Sequence, residues 1–213
     1  MIPKVIHMVW IGDETKRPDN CIDTWKEMNP SYEVRVWGNQ EFKHTDWINA
    51  KHMKEMYKKE LCGVADMMRY ELLYTHGGVA LDADSFCVRP LEDWLLEPLE
   101  FACWESETKR LGLIALNCLG SVPKSKFFEK IIQYIKDKDT VVDRDAWQST
   151  GPQAITDVWK STEHPLTIYP SHYFVPNHFA SKPYSGTGQV FSRQFWASTF
   201  SKNDTLHTEK VKP

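Results

Sequence analysis

The run Gly77-Gly78-Val79-Ala80-Leu81-Asp82-Ala83-Asp84 constrains the fold of this chain more than any other stretch. Upstream of it, Val64, Met68 and Leu72, flanked by Ala65 and Leu73, recur at helical spacing. Gly77 is then a natural residue to end that helix, because it is free to adopt the left-handed conformation. Val79-Ala80-Leu81 follows as a short apolar strand that runs straight into Asp82-Ala83-Asp84. In extended chain, residues two apart point to the same side. Asp82 and Asp84 are therefore expected to set two carboxylates on one face where a strand ends. Such acids repel each other unless a cation joins them or one takes a proton. Hard oxygen ligands suit Mg2+ or Mn2+, which keep positions open for water and phosphate oxygens. An ion held there can bridge a diphosphate and neutralise charge as that diphosphate leaves.

The remaining pattern predicts an α/β domain. Val5 to Ile11 reads as a buried first strand ending at Gly12, Ile22 to Met28 as a helix closed by Asn29-Pro30, and Tyr32 to Trp37 as a second strand followed by a turn at Gly38-Asn39. Trp47 to Leu61 and the stretch from Val64 up to Gly77 read as helices, 99–104 and 111–119 as strands, and Lys126 to Lys136 as an amphipathic helix. Ser149 to Trp159 opens as a Thr-Gly-Pro turn and becomes helical. From Tyr169 onward Pro, Gly, Ser and His are frequent, which reads as loop. The expected organisation is one catalytic domain over residues 1–200 and a flexible tail over 201–213.

Composition narrows the partners. The net charge of −3 and the lack of a dense Lys/Arg block argue against a duplex-binding face, so no nucleic-acid partner is expected. The five cysteines show no C-x-x-C and read as buried free thiols in a reducing compartment. No apolar run approaches the roughly 18–20 residues of a membrane span, and the start lacks the apolar core of a signal peptide. A cytoplasmic location is the expectation. Nine Trp residues suit a protein that stacks on bases or sugars.

A D-x-D alone recurs in many unrelated loops, so its neighbours decide its meaning. Asp66 and Arg69 lie three apart on the preceding helix and share a face. A carboxylate and a guanidinium together suit a polyol, which offers both donors and acceptors. Taken with Ile2 to Gly12, Trp25, Pro30, Ala65-Asp66, Arg69-Tyr70, Asn117 and Thr150-Gly151-Pro152, in that order, the chain resembles glycosyltransferase family 32. That family has a D-x-D sugar-binding motif and includes yeast mannosyltransferases and bacterial capsular-polysaccharide transferases. It is also similar to the glucosyltransferase domains of clostridial toxins. The resemblance implies a GT-A fold, a Rossmann-like sandwich around a mixed central sheet, with the nucleotide at the carboxyl ends of the strands. It implies a metal-dependent, retaining transferase that moves a sugar from a nucleotide-sugar, preferably a UDP-sugar, to a hydroxyl on a glycan or another acceptor. It places Trp10 on the base with Ile11 beside it, Asp66, Arg69 and Asp82 on the donor, Asp82 and Asp84 on Mn2+ or Mg2+, Asn117 near the sugar, and Thr150-Gly151-Pro152 on the acceptor side.

Two positions depart from the family pattern. Ala80 stands where relatives carry a large residue, which removes a sugar contact and is expected to widen the pocket. The C-terminal stretch Gln194 to Phe200 lacks the His of the family, leaving Gln194, Ser198, His172, His178 and His207 as candidates for a further metal ligand. Three alternatives compete. A haloacid-dehalogenase-like phosphatase also sets D-x-D after an apolar strand, but has Thr or Val where this chain has Phe86. A calcium loop would use Asp82, Asp84 and Asp93, but needs Gly where Cys87 stands. A non-catalytic sugar- or nucleotide-binding protein would keep the pocket without turnover.

Overall fold

The computed structural model of the chain describes residues 1–211. Strand β1 (Val5–Val9) leads through helix α1 (Asp19–Met28) to β2 (Glu33–Trp37), and then come three helices, α2 (Asn39–His44), α3 (Ala50–Tyr57) and α4 (Leu61–His76). Strands β3 (Gly78–Asp82), β4 (Ser85–Cys87), β5 (Glu100–Ser106) and β6 (Arg110–Ser121) follow, then helices α5 (Lys126–Lys136), α6 (Ala146–Ser149) and α7 (Pro152–Thr162). Two short strands, β7 (Thr167–Tyr169) and β8 (Ser192–Gln194), lie in the C-terminal part.

Six strands form one mixed sheet in the order β2-β1-β3-β6-β5-β7. β1 runs parallel to β2 and β3, whereas β6 is antiparallel to both β3 and β5. Alternation along β3 sorts its side chains between two cores. Val79 and Leu81 pack with Ile22 and Trp25 of α1 on one face. Ala80 packs with Met68 and Leu72 of α4 on the other. Asp82, two residues beyond Ala80, therefore emerges on the side of α4, and that parity brings it to Arg69. Ala80 itself is buried, 1% exposed, among α4 side chains rather than on a cavity wall. It does not widen the pocket.

Most of the expected elements are present. The differences lie where local pattern was weakest. The expected turn at Gly38-Asn39 opens α2 instead, with Glu41 accepting from the Gly38 backbone N–H at 2.8 Å. The expected long helix from Trp47 is shorter, and Leu61 begins α4. β4, β7 and β8 are each only three residues long and carry no readable period. The expected flexible tail folds back over its described part, 201–211. Leu206 is fully buried against Cys21 and Ala197, and the Asn20 side-chain amide donates to the carbonyls of Leu206 and Glu209 at 2.9 Å each. Residues 212 and 213 of the expected tail lie outside the described residues. Cys21, Cys87, Cys103 and Cys118 are buried free thiols as expected, while Cys62 is exposed. Among the described residues no helix is long and apolar enough to cross a membrane.

The glycine turn that aims β3 is held by a buried histidine. Gly77 and Gly78 have φ of 66° and 98°. A side chain on Gly78 would meet the Val5 carbonyl oxygen at 2.5 Å, so position 78 requires glycine on both counts. His7 Nδ1 accepts from the Trp37 indole N–H at 3.1 Å, so its proton sits on Nε2, which donates to the Gly77 carbonyl at 2.9 Å. Burial pushes His7 down to about 4, and a second ring proton would face the Trp37 N–H. Its folded value lies below the ordinary 6.5, so the stability it supplies is present above pH 6.5 and is lost as pH falls toward about 4. We expect His7→Gln to flatten the acid limb of the stability curve between those values. The difference is at most about 3 kcal/mol, read by urea titrations at stepped pH; an unchanged limb contradicts the assignment.

Candidate active site

Arg69 stands at the centre of the site. It leaves the third turn of α4 with its side chain only 6% exposed. One terminal nitrogen donates to the Leu116 carbonyl of β6 at 2.7 Å, and the other forms a tight ion pair with Asp82. Asp66, one turn earlier on the same face, lies 3.6 Å from the guanidinium. Arg69 therefore ties helix α4 to the end of β3 and the middle of β6. Its Nε is buried without a partner among the described residues.

Asp66, which the resemblance places on the donor, is instead buried behind Arg69 and does not line the donor cavity. Burial, reinforced by the charge of Asp82, pushes its carboxyl up to about 7 despite the guanidinium. Gly151, between α6 and α7, makes room for it: a side chain there would come within 3.1 Å of Asp66 Oδ2. Tyr70 fixes the same turn by donating to the Thr150 carbonyl at 2.9 Å.

Asp84 lies beyond β3, and one of its oxygens accepts from the Ala197 backbone N–H at 2.8 Å. Burial, then the neighbouring charge of Asp82, pushes Asp84 up to about 6. β4 pairs antiparallel with β8, matching Ser85 to Gln194. That small second sheet is what carries the C-terminal stretch to the acids. Gln194 is buried, and its side-chain nitrogen has no partner among the described residues. Because the amide oxygen and nitrogen exchange by a half-turn, this side chain can equally present an oxygen to a cation.

At the other end, the loop after β1 is clamped twice. Asn39 both accepts from the Gly12 N–H at 3.1 Å and donates to its carbonyl at 2.7 Å. The Trp10 indole N–H donates to the Asp13 carbonyl at 2.9 Å, which sets the ring along the cavity wall. Trp10, Ile11, Arg69, Asp82, Asp84, Gln194 and Ser198 all line one cavity of about 480 Å³.

Other expected residues lie elsewhere. Asn117 is buried on β6, donating to the Phe174 carbonyl at 3.0 Å and accepting from the Cys103 thiol at 3.3 Å, and it does not reach the cavity. Both nitrogens of His178 are engaged: Nδ1 accepts from the Ala180 N–H, leaving the proton on Nε2 for Glu105 at 3.2 Å. His172 stacks on Tyr184 at 4.2 Å beside a separate, smaller cavity. His207 sits in the last helical turn, outside the cavity lining. Asp93 pairs with Lys4 at 2.7 Å in its own short turn, which removes the calcium-loop alternative. Sequence reasoning missed Lys16, Cys62, Ala65 and Trp196 as cavity residues. Cys62 and Ala65 were within reach, because each lies four residues before a candidate, Asp66 or Arg69, on the same helical face.

The donor set fits Mg2+ or Mn2+. Two carboxylates at a strand end, beside an uncommitted amide, leave coordination positions for water and phosphate oxygens. Among the described residues no group of three or more His, Cys, Asp or Glu gathers to hold an ion. A diphosphate and water would therefore complete the shell.

Comparison with known proteins agrees with this fold. Residues 15–100 match the model of the glycosyltransferase sugar-binding region containing a DXD motif. The chain is similar to inositol phosphoceramide mannosyltransferase 2 of Schizosaccharomyces pombe, 26% identical over 96% of this chain and 59% of that protein. It is also similar to a mannosyl phosphorylinositol ceramide synthase of Saccharomyces cerevisiae, 29% identical over 75% of this chain and 42% of that protein. The chain thus spans about half the length of these curated relatives. Among solved structures it superposes on the PaToxG glycosyltransferase with a TM-score of 0.60 and 14% identity, over 76% of this chain and 70% of that one. The phosphatase alternative falls with the fold. The resemblance drawn from the sequence stands: the chain has the GT-A fold, and its residues 15–100 match the D-x-D sugar-binding region of glycosyltransferases.

Proposed function

We propose that the chain is a metal-dependent, retaining glycosyltransferase that moves a sugar from a nucleotide-sugar, preferably a UDP-sugar, to an acceptor hydroxyl. One observation carries this reading: an aromatic shelf at Trp10, the acid Asp82 paired with Arg69, and the acid Asp84 face one cavity of about 480 Å³. That volume suits a ligand of this size.

Trp10 offers its ring to the base. Asp82, oriented by Arg69, accepts from ribose or sugar hydroxyls, and Asp66 fixes Arg69 from behind. Asp82, Asp84 and the Gln194 amide would hold Mn2+ or Mg2+, which when bound supplies positive charge to the diphosphate. Lys16 lines the same cavity and adds a cation on the phosphate side. The acceptor oxygen bonds to the anomeric carbon while the bond from that carbon to the diphosphate oxygen breaks. The diphosphate departs with the electron pair and takes the acceptor's proton. Attack from the face the diphosphate leaves retains the anomeric configuration. Burial of Arg69 keeps water from this corner and strengthens its interaction with Asp82.

A second reading concerns the donor alone. The named relatives are mannosyl transferases, which favours GDP-mannose as the alternative nucleotide-sugar. A thermal-shift screen of UDP- and GDP-sugars with Mn2+ separates the two, and the proton spectrum of the product reports its anomeric configuration. No stabilisation by any nucleotide-sugar, or an inverted product, contradicts the proposal.

Asp84 gives a pH-resolved test. Its folded value, about 6, lies above its ordinary 3.8. Protonation is thus favoured in the fold, and the stability it lends below pH 3.8 is lost as pH rises through about 6. A cation that needs the ionised carboxylate reverses that loss. We expect the Mn2+-dependent rise in Tm, with UDP present, to grow from pH 5 to pH 7.5. Asp84→Asn should keep the hydrogen bond from Ala197, melt no lower than the parent without metal, and lose turnover by about a hundredfold or more. A Mn2+ effect independent of pH, or full activity in the variant, counts against the site.

A further inference from the structure

An asparagine joins the six-stranded sheet to the small β4–β8 sheet beside the second acid. The segment around it is anchored on the large sheet. The Phe174 carbonyl accepts from Asn117 of β6 at 3.0 Å, and the His178 ring donates to Glu105 of β5 at 3.2 Å. Asn177 sits between those anchors, half-buried and outside the cavity lining. Its side-chain amide brackets Gln194, accepting from the Gln194 backbone N–H at 3.2 Å and donating to the Gln194 carbonyl at 2.7 Å. The amide thus engages β8 on the edge away from β4, as a neighbouring strand would. The Asn177 carbonyl accepts from the Trp196 indole N–H at 2.7 Å. His178 and Phe179 close on the same indole edge to face, with centroids 5.4 and 5.0 Å away.

These contacts hold an unfavourable backbone in place. Trp196 has a φ of 55°, in the left-handed region that a bulky L-residue rarely enters. Such a residue persists where its surroundings over-determine it, and it points to function. The turn has a visible product here. It keeps Gln194 on the cavity wall and delivers the next N–H, that of Ala197, to Asp84 at 2.8 Å. Gln194 is 4% exposed and its side-chain nitrogen has no partner among the described residues, so a polar amide is held buried and unmatched beside the acids. We propose that Asn177 is a positioning residue for the cation site, acting through Gln194. This rests on the metal-dependent donor reading above and adds to it a residue that touches neither ion nor donor. A side chain already held in the binding geometry raises affinity, because the free protein populates the competent arrangement. With the Asn177 clamp removed, β8 keeps its pairing with β4 on the opposite edge. The turn at Trp196 then relaxes toward ordinary φ and draws the Gln194 amide away from Asp84.

Calorimetry of UDP binding to the full chain, with Mn2+ and with a chelator in its place, separates positioning from folding. We expect Asn177→Ala to weaken UDP binding in the presence of Mn2+ by about tenfold or more, as loss of a group that orients a metal ligand does. Without the ion the change should be about twofold or less, because the Trp10 shelf at the other end of the cavity keeps its own contacts. In a Gln194→Ala background, Asn177→Ala should add about threefold or less, since the side chain it positions is already gone. Asn177→Asp keeps the shape and the acceptor for the Gln194 N–H but loses the donor to its carbonyl. It gives the same split between the two conditions, and it is the readout if Asn177→Ala does not fold. Equal losses with and without Mn2+, together with a lower Tm, indicate a structural role and overturn the proposal. So does undiminished Mn2+-dependent binding in both variants, or a full tenfold effect of Asn177→Ala in the Gln194→Ala background. A parent chain that gains no UDP affinity from Mn2+ overturns the donor reading itself, and this assignment falls with it.

Discussion

A buried guanidinium organises this molecule. Arg69 is tolerated inside the fold only because Asp82, Asp66 and the Leu116 carbonyl surround it. Removing any one partner would strand charge in a low-dielectric interior, where an uncompensated ion costs about 3–5 kcal/mol. The same need fixes geometry. Helix α4 has to reach the end of β3 and the middle of β6, and the parity of β3 has to turn Asp82, rather than Leu81, toward it. The His7-buttressed glycine turn, with positive φ at both residues, sets that parity. Fold stability and the orientation of the reacting corner are therefore consequences of one arrangement.

The second acid depends on a different part of the chain. Asp84 lies past the sheet and is held by a backbone N–H from residue 197, more than a hundred positions away. That contact exists because β8 pairs with β4 and because Leu206 anchors the segment beyond it against α1. The two carboxylates thus answer to two structural units. Asp82 is fixed by the core, and Asp84 by the C-terminal return. Burial raises the affinity of Asp84 for a proton, which is the same property that a divalent cation exploits when it replaces that proton. The elevated values of Asp66 and Asp84, about 7 and about 6, mark the corner where desolvation was accepted.

Much of this was legible in the sequence, for physical reasons. The stripe along α4, the glycines at its end and the period of two through Asp82 are local patterns, and local patterns carry secondary structure. Asp66, Arg69 and Asp82 could be grouped because helix spacing and strand parity placed them together. Trp10 and Ile11 came from the family resemblance, which they match just after the first strand. Asn117 is where this reasoning overreached, since a residue on a strand can face either core, and this one faces Phe174 with its polar atoms engaged. Three-residue strands have no period to read, so the β4–β8 pairing and the fold-back of Leu206 depend on tertiary contacts alone. Lys16 and Trp196 reach the cavity through those contacts, which no window of sequence displays.

The central claim is that Asp82 and Asp84 together recruit a divalent cation that secures a diphosphate. Electron paramagnetic resonance of Mn2+ tests it directly, because the six-line signal of the free ion fades as the ion is bound. With UDP present, the full chain should quench that signal at one ion per molecule, and the paired substitution Asp82→Asn with Asp84→Asn should leave it at the level of UDP alone. Equal quenching by the parent and the doubly substituted protein would contradict the account.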